Sequence, residues 1–387
     1  MTGRTVKSHT PEYLDSVEDV DRFLHAIGST QVVALDTEGA SFHRFVDRIY
    51  LLQLSTHHHT AVVDPLPIGV PVRLGTLLQD PTIEVVFHDA DYDLRLLHQD
   101  YGWHPRNIFD TRIAAQLLGL RQFGLAALLE RYFDLKLEKK HQRADWSMRP
   151  LTRDMLEYAA QDTMHLLPLR DHLREALERA GRLSWAEEEF ARLEGTRWEP
   201  DDENLAWMRM KGARDLSRRE LALLRELVHW RDDVARVLDR ASFRVMGNEA
   251  MFEIARRAPR SKSALAEIKG VPRGILESRG TEVLAAISRG LTVPEHELPR
   301  FPRAPRWDRD PDFDARAAAV KAVRDAAAQR LELDPGVLCP RDRLEAIARR
   351  NPRTLDELAE VPDLRTWQID EMGKDFLRAL AKRQKPR

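Results

Sequence analysis

Residues 31–38 read Gln-Val-Val-Ala-Leu-Asp-Thr-Glu, an apolar and β-branched run that ends in two carboxylates. Such a run predicts a buried strand. Asp36 and Glu38 are two residues apart, so both side chains project from the same face of the strand and can hold one cation. Asp-Thr-Glu alone also fits a polar strand end that enters a turn, and other acidic segments must decide between these interpretations.

The surrounding sequence predicts an α/β domain over residues 1–205. Short apolar runs predict further strands at residues 50–55, 60–64 and 83–87. Apolar periodicity predicts helices at residues 111–118, 125–132 and 152 to about 180. Thr152 is a plausible N-cap for the last of these helices. Strands first and helices later indicate a layered domain.

Two further segments carry the remaining candidate residues for catalysis. Asp93 follows the last predicted strand and opens a helix, where a carboxylate can also simply interact with the helix N-terminus. Asp89 and Asp91 are its competitors. Tyr158 and Asp162 are four residues apart, so on a helix they share a face. The alternative is that Tyr158 packs as a half-buried side chain and Asp162 is a solvated charge. Taken together, four carboxylates suit two-metal phosphodiester hydrolysis, because hard divalent cations bind oxygen ligands.

The composition limits the compartment and the number of domains. A chain of 387 residues predicts two or three compact units. Cys339 is the only cysteine, which excludes an intrachain disulfide and favours a reducing compartment, so we expect a cytoplasmic protein. The sequence contains no apolar run of about 18 residues and no secretion signal, which argues against a membrane span or export.

The C-terminal half is helical in pattern and contains a repeat. Residues 254–260 recur as residues 347–353, an offset of 93 that continues without a gap to Gly280 and Gly373. Two copies are too few for a solenoid, so we expect two small helical domains, at residues 214–292 and 315–387. Residues 293–314 are rich in proline and predict a stiff linker.

Charge is distributed unevenly along the chain. The formal net charge is −2, but residues 214–290 contain 16 Lys and Arg against 11 Asp and Glu, and residues 315–387 contain 16 against 12. The N-terminal domain therefore carries most of the negative charge, and the basic surfaces of the repeats could hold RNA by phosphate contacts. The candidate arginines are Arg256, Arg257, Arg260, Arg349, Arg350 and Arg353, each of which could equally belong to a solvated helix face.

The candidate residues resemble a known family. Asp-x-Glu at Asp36, the Tyr-Asp pair that ends at Asp93, and Tyr-x-x-x-Asp at Tyr158 resemble the three motifs of the DEDD exonuclease superfamily, in its tyrosine-bearing branch. Further short motifs are similar to those of the ribonuclease D family: Asp110-Thr111, Lys139, Asp145-Trp146 and Arg149-Pro150-Leu151. The helical repeats resemble helicase-and-RNase-D C-terminal (HRDC) domains. The resemblance implies an RNase H-like α/β exonuclease domain with a mixed sheet, followed by two small all-α HRDC domains.

The resemblance also implies roles for the candidate residues. Asp36, Glu38 and Asp162 would hold one Mg²⁺ or Mn²⁺, and Asp36 would bridge to a second ion that Asp93 helps to position. Tyr158 would orient the attacking water, because a phenol with a pKa near 10 is a poor base at neutral pH. The products would be nucleoside 5′-monophosphates released from a 3′ end.

The function expected from this resemblance is 3′-to-5′ exoribonuclease activity on structured RNA, with 3′-extended tRNA precursors as the first candidates. We expect a monomer. Phe42 and His43 could stack on terminal bases, although core packing is the alternative for Phe42. A DNA-directed exonuclease and a non-catalytic nucleic-acid-binding protein are the competing hypotheses. The sequence contains no Walker phosphate-binding motif of a helicase motor.

Overall fold

Six strands form one mixed sheet in the N-terminal part of the chain. The structure is a computed structural model that describes residues 11–137, 140–200, 202–302 and 310–381. The strands are β1 (Glu12–Leu14), β2 (Val32–Glu38), β3 (Leu51–Ser55), β4 (Thr60–Val63), β5 (Glu84–Phe87) and β6 (Ile108–Asp110). Their order in the sheet is β1-β4-β3-β2-β5-β6. The predicted α/β fold with a mixed sheet is confirmed. The sequence pattern does not predict β1 or β6, because three residues are too few to show a period.

The direction of the strands places the acidic segments at one edge. β2, β5 and β6 are parallel neighbours, whereas β3 is antiparallel to β2. The carboxyl ends of β2, β5 and β6 therefore meet at the same edge of the sheet. β2 is long enough to include the whole Asp-Thr-Glu motif, and its apolar residues Val33, Ala34 and Leu35 are fully buried.

Helices cover both faces of this sheet. They are α1 (Val17–Ile27), α2 (Pro65–Ile68), α3 (Val72–Leu78), α4 (Asp91–Tyr101), α5 (Thr111–Leu117), α6 (Leu125–Phe133), α7 (Arg153–Met164), α8 (Leu166–Arg179) and α9 (Leu183–Leu193). The next helix, α10 (Ala206–Arg209), packs against the first helical repeat instead. Thr152 caps α7 as expected, since its hydroxyl accepts from the N–H of Met155. Lys139 and residues 1–10 lie outside the described residues.

The prediction of one continuous helix from residue 152 to about 180 is wrong. The helix breaks at His165, which separates α7 from α8 and has φ −107° and ψ 0°. Pro168 gives the physical reason, because it has no N–H to donate to the carbonyl of Met164 and its ring clashes with the preceding turn. A proline is tolerated only in the first turn of a new helix, which is where α8 places it.

The C-terminal part contains the two helical repeats. The first repeat consists of α11 (Arg218–Val237), α12 (Ser242–Val245), α13 (Asn248–Arg257), α14 (Lys262–Ala266) and α15 (Arg273–Thr292). The second consists of α16 (Phe313–Leu331), α17 (Pro335–Leu338), α18 (Arg341–Arg350), α19 (Leu355–Ala359) and α20 (Thr366–Ala381). The starts of α12 to α15 and of α17 to α20 differ by the offset of 93 seen in the sequence. Within the described ranges, every helix is too short or too polar to cross a bilayer.

Each repeat has a sharp bend between its first two helices, which we call the corner. The first corner is residues 237–243 and the second corner is residues 330–336. Asp239 and Glu332 occupy equivalent positions in these bends and both have a positive φ, 43° and 54°. Both corners contact the N-terminal domain, but at different places.

The second repeat shares a hydrophobic core with helices of the N-terminal domain. Trp367 of α20 stacks on Trp185 of α9, with ring centroids 4.7 Å apart, and both side chains are buried. Glu188 accepts from the N–H groups of Thr366 and Trp367 at the start of α20. Carboxylates stabilise the N-terminus of a helix, so α9 contributes both packing and a cap to the second repeat.

The described residues of the predicted linker pack against the first repeat and the segment before it. Phe301 packs edge-on against Trp207 at 5.8 Å, and the guanidinium of Arg214 lies 4.6 Å from its ring centroid. Leu298 is buried. Residues 303–309 lie outside the described part of the chain.

Candidate active site and metal centre

Three carboxylates from two separate elements meet at the end of β2. Asp36 and Glu38 come from the strand, and Asp162 comes from the last turns of α7. One oxygen of each lies within 4.8 Å of the others, and all three residues are partly buried. The hydrogen bond between Ser55 and Thr163, 2.8 Å long, attaches α7 to β3 and places Asp162 over the strand end.

A fourth carboxylate, Asp93, is tied to the middle of the Asp-Thr-Glu motif. Its Oδ1 accepts from the backbone N–H of Thr37 at 2.9 Å and from the Thr37 hydroxyl at 2.6 Å. Thr37 lies beyond the last paired position of β2 and β5, where its N–H has no strand partner. The two competing candidates point elsewhere, because Asp89 pairs with Arg112 and Asp91 pairs with Arg95.

The clustered carboxylates hold protons more strongly than isolated ones. Burial, followed by repulsion from Asp93 and Asp162, raises the pKa of Asp36 well above its usual value. Burial and the charge of Asp162 do the same for Glu38. Burial raises the pKa of Asp93 to about 7, against the lowering effect of its bonds from Thr37. Burial also raises the pKa of Asp162 to about 7. Such a set accepts its full negative charge only when cations neutralise it.

Tyr158 lies one helical turn before Asp162 and is held between two rings. Trp146 stacks against it with centroids 6.2 Å apart, and His141 meets it edge-on at 5.6 Å. Burial, followed by the charge of Asp162, raises the pKa of Tyr158 to about 12. The phenol therefore stays protonated at neutral pH and can act as a hydrogen-bond donor, which agrees with a positioning role.

Two further residues, which sequence reasoning did not single out for a role, hold the carboxylates in place. Thr37 binds Asp93 as described above. Asp110 is buried at the end of β6 and accepts from the N–H groups of Ala90 and Arg112, both at 2.8 Å. This one carboxylate joins the start of α5 to the turn that leads into α4 and Asp93. The signal in the sequence was an aspartate directly after an apolar run, which is typical of an N-cap.

The donor set fits a hard divalent cation. Oxygen ligands from several carboxylates are the coordination that Mg²⁺ and Mn²⁺ prefer. Gln53 supplies independent support, since it pairs with Asp36 across β2 and β3 and therefore lies on the same face of the sheet. Its side chain is fully buried, and neither its amide nitrogen nor its oxygen has a protein partner. A buried amide without a partner is costly, and the water ligands of a cation held by these carboxylates would satisfy it.

The predicted base-stacking residues lie on the loop that follows β2. Phe42 is exposed over 46% of its surface, so it is not a core residue. The guanidinium of Arg143 lies 5.3 Å from its ring centroid. His43 is near the same segment, since its Nε2 lies 3.1 Å from the carbonyl oxygen of Arg143. Neither residue belongs to the carboxylate cluster.

The six predicted RNA-binding arginines lie at the ends of α13 and α18 and in the turns that follow. Arg256 and Arg257 pair with Glu253, and Arg349 pairs with Glu345. Arg350 pairs with Glu360. Arg260 and Arg353 are exposed in the turns after the two helices. No described contact joins these arginines to the carboxylates. Their binding of RNA stays a prediction.

Comparisons with known proteins agree with this geometry. The 3′-5′ exonuclease family profile matches residues 11–178, and the HRDC domain profile matches residues 220–287 and 313–380. Ribonuclease D of Gluconacetobacter diazotrophicus is 32% identical over 381 residues, which cover 97% of this chain and 94% of that protein.

Two solved structures show the same arrangement over most of the chain. The structure of Escherichia coli RNase D, described as an exoribonuclease involved in structured RNA processing, matches with a TM-score of 0.72 and 26% identity, covering 97% of this chain and 99% of that one. The catalytic core of RRP6 from Trypanosoma brucei matches with a TM-score of 0.64 and 28% identity, covering 74% and 83%.

Proposed function

Since the chain belongs to the ribonuclease D family and is a 3′-to-5′ exoribonuclease, we propose that it matures tRNA precursors by removing nucleotides from their 3′ extensions with two divalent cations. The observation that carries the proposal is the meeting of Asp36, Glu38 and Asp162 within 4.8 Å, with Asp93 bound to Thr37 beside them. Similarity to an RNase D described as acting on structured RNA supports the choice of substrate.

Each candidate residue has a distinct task in this proposal. Asp36, Glu38 and Asp162 would hold the divalent cations, and Asp93 would complete the set from the side of Thr37. The cations would acidify water and offset the charge of the scissile phosphate. Tyr158 donates a hydrogen bond to the attacking water and fixes its direction, because its raised pKa keeps the proton on the phenol. The leaving RNA retains a 3′ hydroxyl, and the released nucleotide carries a 5′ phosphate.

The test is hydrolysis of a 3′-extended tRNA in Mg²⁺ by the wild type and by Asp36→Asn and Asp162→Asn variants. Loss of one anionic ligand is expected to lower the rate by at least about 100-fold. Asp91→Asn is the control, since Asp91 lies in the same acidic segment as Asp93 but pairs with Arg95 at the surface. Retained activity in Asp162→Asn would contradict the assignment.

Substrate choice is tested separately with the wild type. The tRNA precursor is compared with an RNA oligonucleotide, a DNA oligonucleotide and an RNA stem that is not tRNA, all with the same 3′ tail. Each of these should be hydrolysed more slowly than the tRNA precursor. Equal rates on all RNA substrates would leave the exoribonuclease in place but contradict tRNA maturation as its task. Mass analysis of the products should give nucleoside 5′-monophosphates.

A further inference from the structure

We propose that Phe243, which belongs to the first helical repeat, forms a base-stacking site with Phe42 for single-stranded RNA on its way to the carboxylates. This inference rests on the exoribonuclease function proposed above and extends it to a residue outside the catalytic domain. The two rings meet edge to face, with centroids 6.1 Å apart and an angle of 80° between their planes. Phe243 is 50% exposed and Phe42 is 46% exposed, so ring surface of both is open to a ligand.

The contact between these two segments is fixed by the backbone. The N–H of Ala241 in the first corner donates to the carbonyl of His43 at 3.1 Å. Arg44 connects three segments, because its Nε donates to the Ser147 hydroxyl at 2.7 Å and its Nη1 lies 3.2 Å from Asp239. The relative position of Phe42 and Phe243 is therefore determined by contacts other than their own.

Exposed apolar side chains are concentrated at this junction. Five large ones lie in the loop after β2 and in the first corner, namely Phe42, Val46, Val237, Leu238 and Phe243. Exposed apolar residues that occur singly need no explanation, but a cluster in two touching segments is typical of a binding surface. Aromatic rings serve this purpose for single-stranded RNA, because every base has a face that can stack.

The charge around the two rings suits a nucleic acid. Arg143 lies over Phe42, and Arg240 and Arg244 are exposed on either side of Phe243 in the sequence. Aromatic rings interleaved with arginines provide stacking for the bases and positive charge for the phosphates. A neutral apolar ligand would gain nothing from the arginines beside the two rings.

The junction is also close enough to the carboxylates to act on the substrate. Phe42 is four positions after Glu38, so their Cα atoms are at most about 14 Å apart. Ala40, between them, is buried in the same cluster as Trp146 and the residues beside Tyr158. The two rings therefore lie close enough to the carboxylates for an RNA strand that ends there to reach them.

The experiment compares Phe243→Ala with the wild type on two RNA substrates, a tailed tRNA and a dinucleotide, which has only one nucleotide upstream of the scissile bond. We expect the KM for tailed RNA to rise about five- to tenfold, as for loss of one stacked base, with dinucleotide hydrolysis unchanged. Phe243→Trp should restore the KM. Leu355→Ala is the control, since Leu355 is an exposed apolar residue of the second repeat.

An abasic scan of the tail identifies stacking directly. One abasic nucleotide is placed in turn at each position near the 3′ end. When the abasic nucleotide is at the position that stacks, the KM of the wild type should rise. The KM values of the wild type and of Phe243→Ala should then be equal. An unchanged KM in Phe243→Ala, or a loss that is the same with every abasic substrate, would overturn the inference. A wild type that hydrolyses neither substrate would contradict the proposed function itself, and the inference would fall with it.

Discussion

The two helical repeats have equivalent backbones but carry their aromatic contact residues at different positions. Phe243 of the first repeat corresponds to Gly336 of the second, and Trp367 of the second corresponds to Gly274 of the first. The aromatic residue of the first repeat is half exposed next to the loop that follows β2, whereas Trp367 is buried against α9.

Because of this difference, we infer that the two repeats have different tasks. The second repeat contributes its apolar surface to the core of the N-terminal domain, so it supports the fold of the catalytic part. The first repeat touches the loop after β2 through the bonds of Asp239 and Ala241 and through the packing of Phe45, and the contact of Phe243 with Phe42 stays partly exposed. A duplicated fold therefore does not imply a duplicated role, because the side chains at the contacts decide what each copy does.

The comparison predicts its largest effect for Trp367→Ala. Removing a buried, stacked indole should lower the free energy of unfolding by about 3–5 kcal/mol. Urea unfolding measures this loss, and the rate of dinucleotide hydrolysis by the folded fraction should stay close to that of the wild type. A variant that keeps full stability but loses hydrolysis would assign the second repeat to the active site and break the comparison.

A second prediction concerns the cost of the carboxylate cluster in the absence of metal. The raised pKa of Asp162 means that the folded chain binds this proton more strongly than the unfolded chain does, so stability falls as pH rises from about 4 to about 7. Asp162→Asn removes this loss. With chelator at pH 8 the variant should exceed the wild type by on the order of 2 kcal/mol, and the difference should vanish near pH 4.

Urea unfolding at several pH values tests the sign of this effect. Asp91→Asn is the control, because Asp91 is exposed and paired with Arg95. A difference between Asp162→Asn and wild type that does not change with pH would show that the carboxylate is not protonated on folding. Added Mg²⁺ should stabilise the wild type more than the variant.

The smallest effect on stability is expected for Arg44→Ala. The side chains of Arg44 and Asp239 are 28% and 57% exposed, and such an ion pair contributes at most about 1 kcal/mol. The variant should nevertheless hydrolyse tailed RNA several-fold more slowly, because Phe243 loses its fixed position, and should hydrolyse a dinucleotide normally. Equal losses on both substrates would mean that Arg44 acts on the carboxylates and not on the corner.

Sequence reasoning located the elements of the site because they depend on local periodicity. Asp36 and Glu38 share a strand face, and Tyr158 and Asp162 share a helix face, and each relation follows from its spacing alone. Parallel strand ends explain why Asp93 reaches the same edge. The backbone repeat was visible for the same reason, because the offset of 93 preserves helix positions and bends.

The remaining features depend on contacts between distant residues. Thr37 matters because Asp93 of α4 binds it, and Gln53 matters because it lies opposite Asp36 in the sheet. The helix break at His165 follows from one residue, Pro168. The docking sites of the two repeats could not be predicted, since Phe243 and Trp367 look like ordinary surface or core residues until their partners are known. Pairing of Arg256 and Arg349 with glutamates likewise reflects helix spacing that basic composition alone does not reveal.

Gly119, in the turn after α5, shows that the position of the second repeat depends on the lack of a side chain at one residue. A Cβ at this residue would lie 2.3 Å from the carbonyl oxygen of Glu332 in the second corner, and the φ of +75° disfavours any other residue. Arg182 donates to the neighbouring carbonyl of Leu331 at 2.6 Å. One added methyl group would thus push the second repeat away from α5, although Gly119 lies outside the carboxylate cluster.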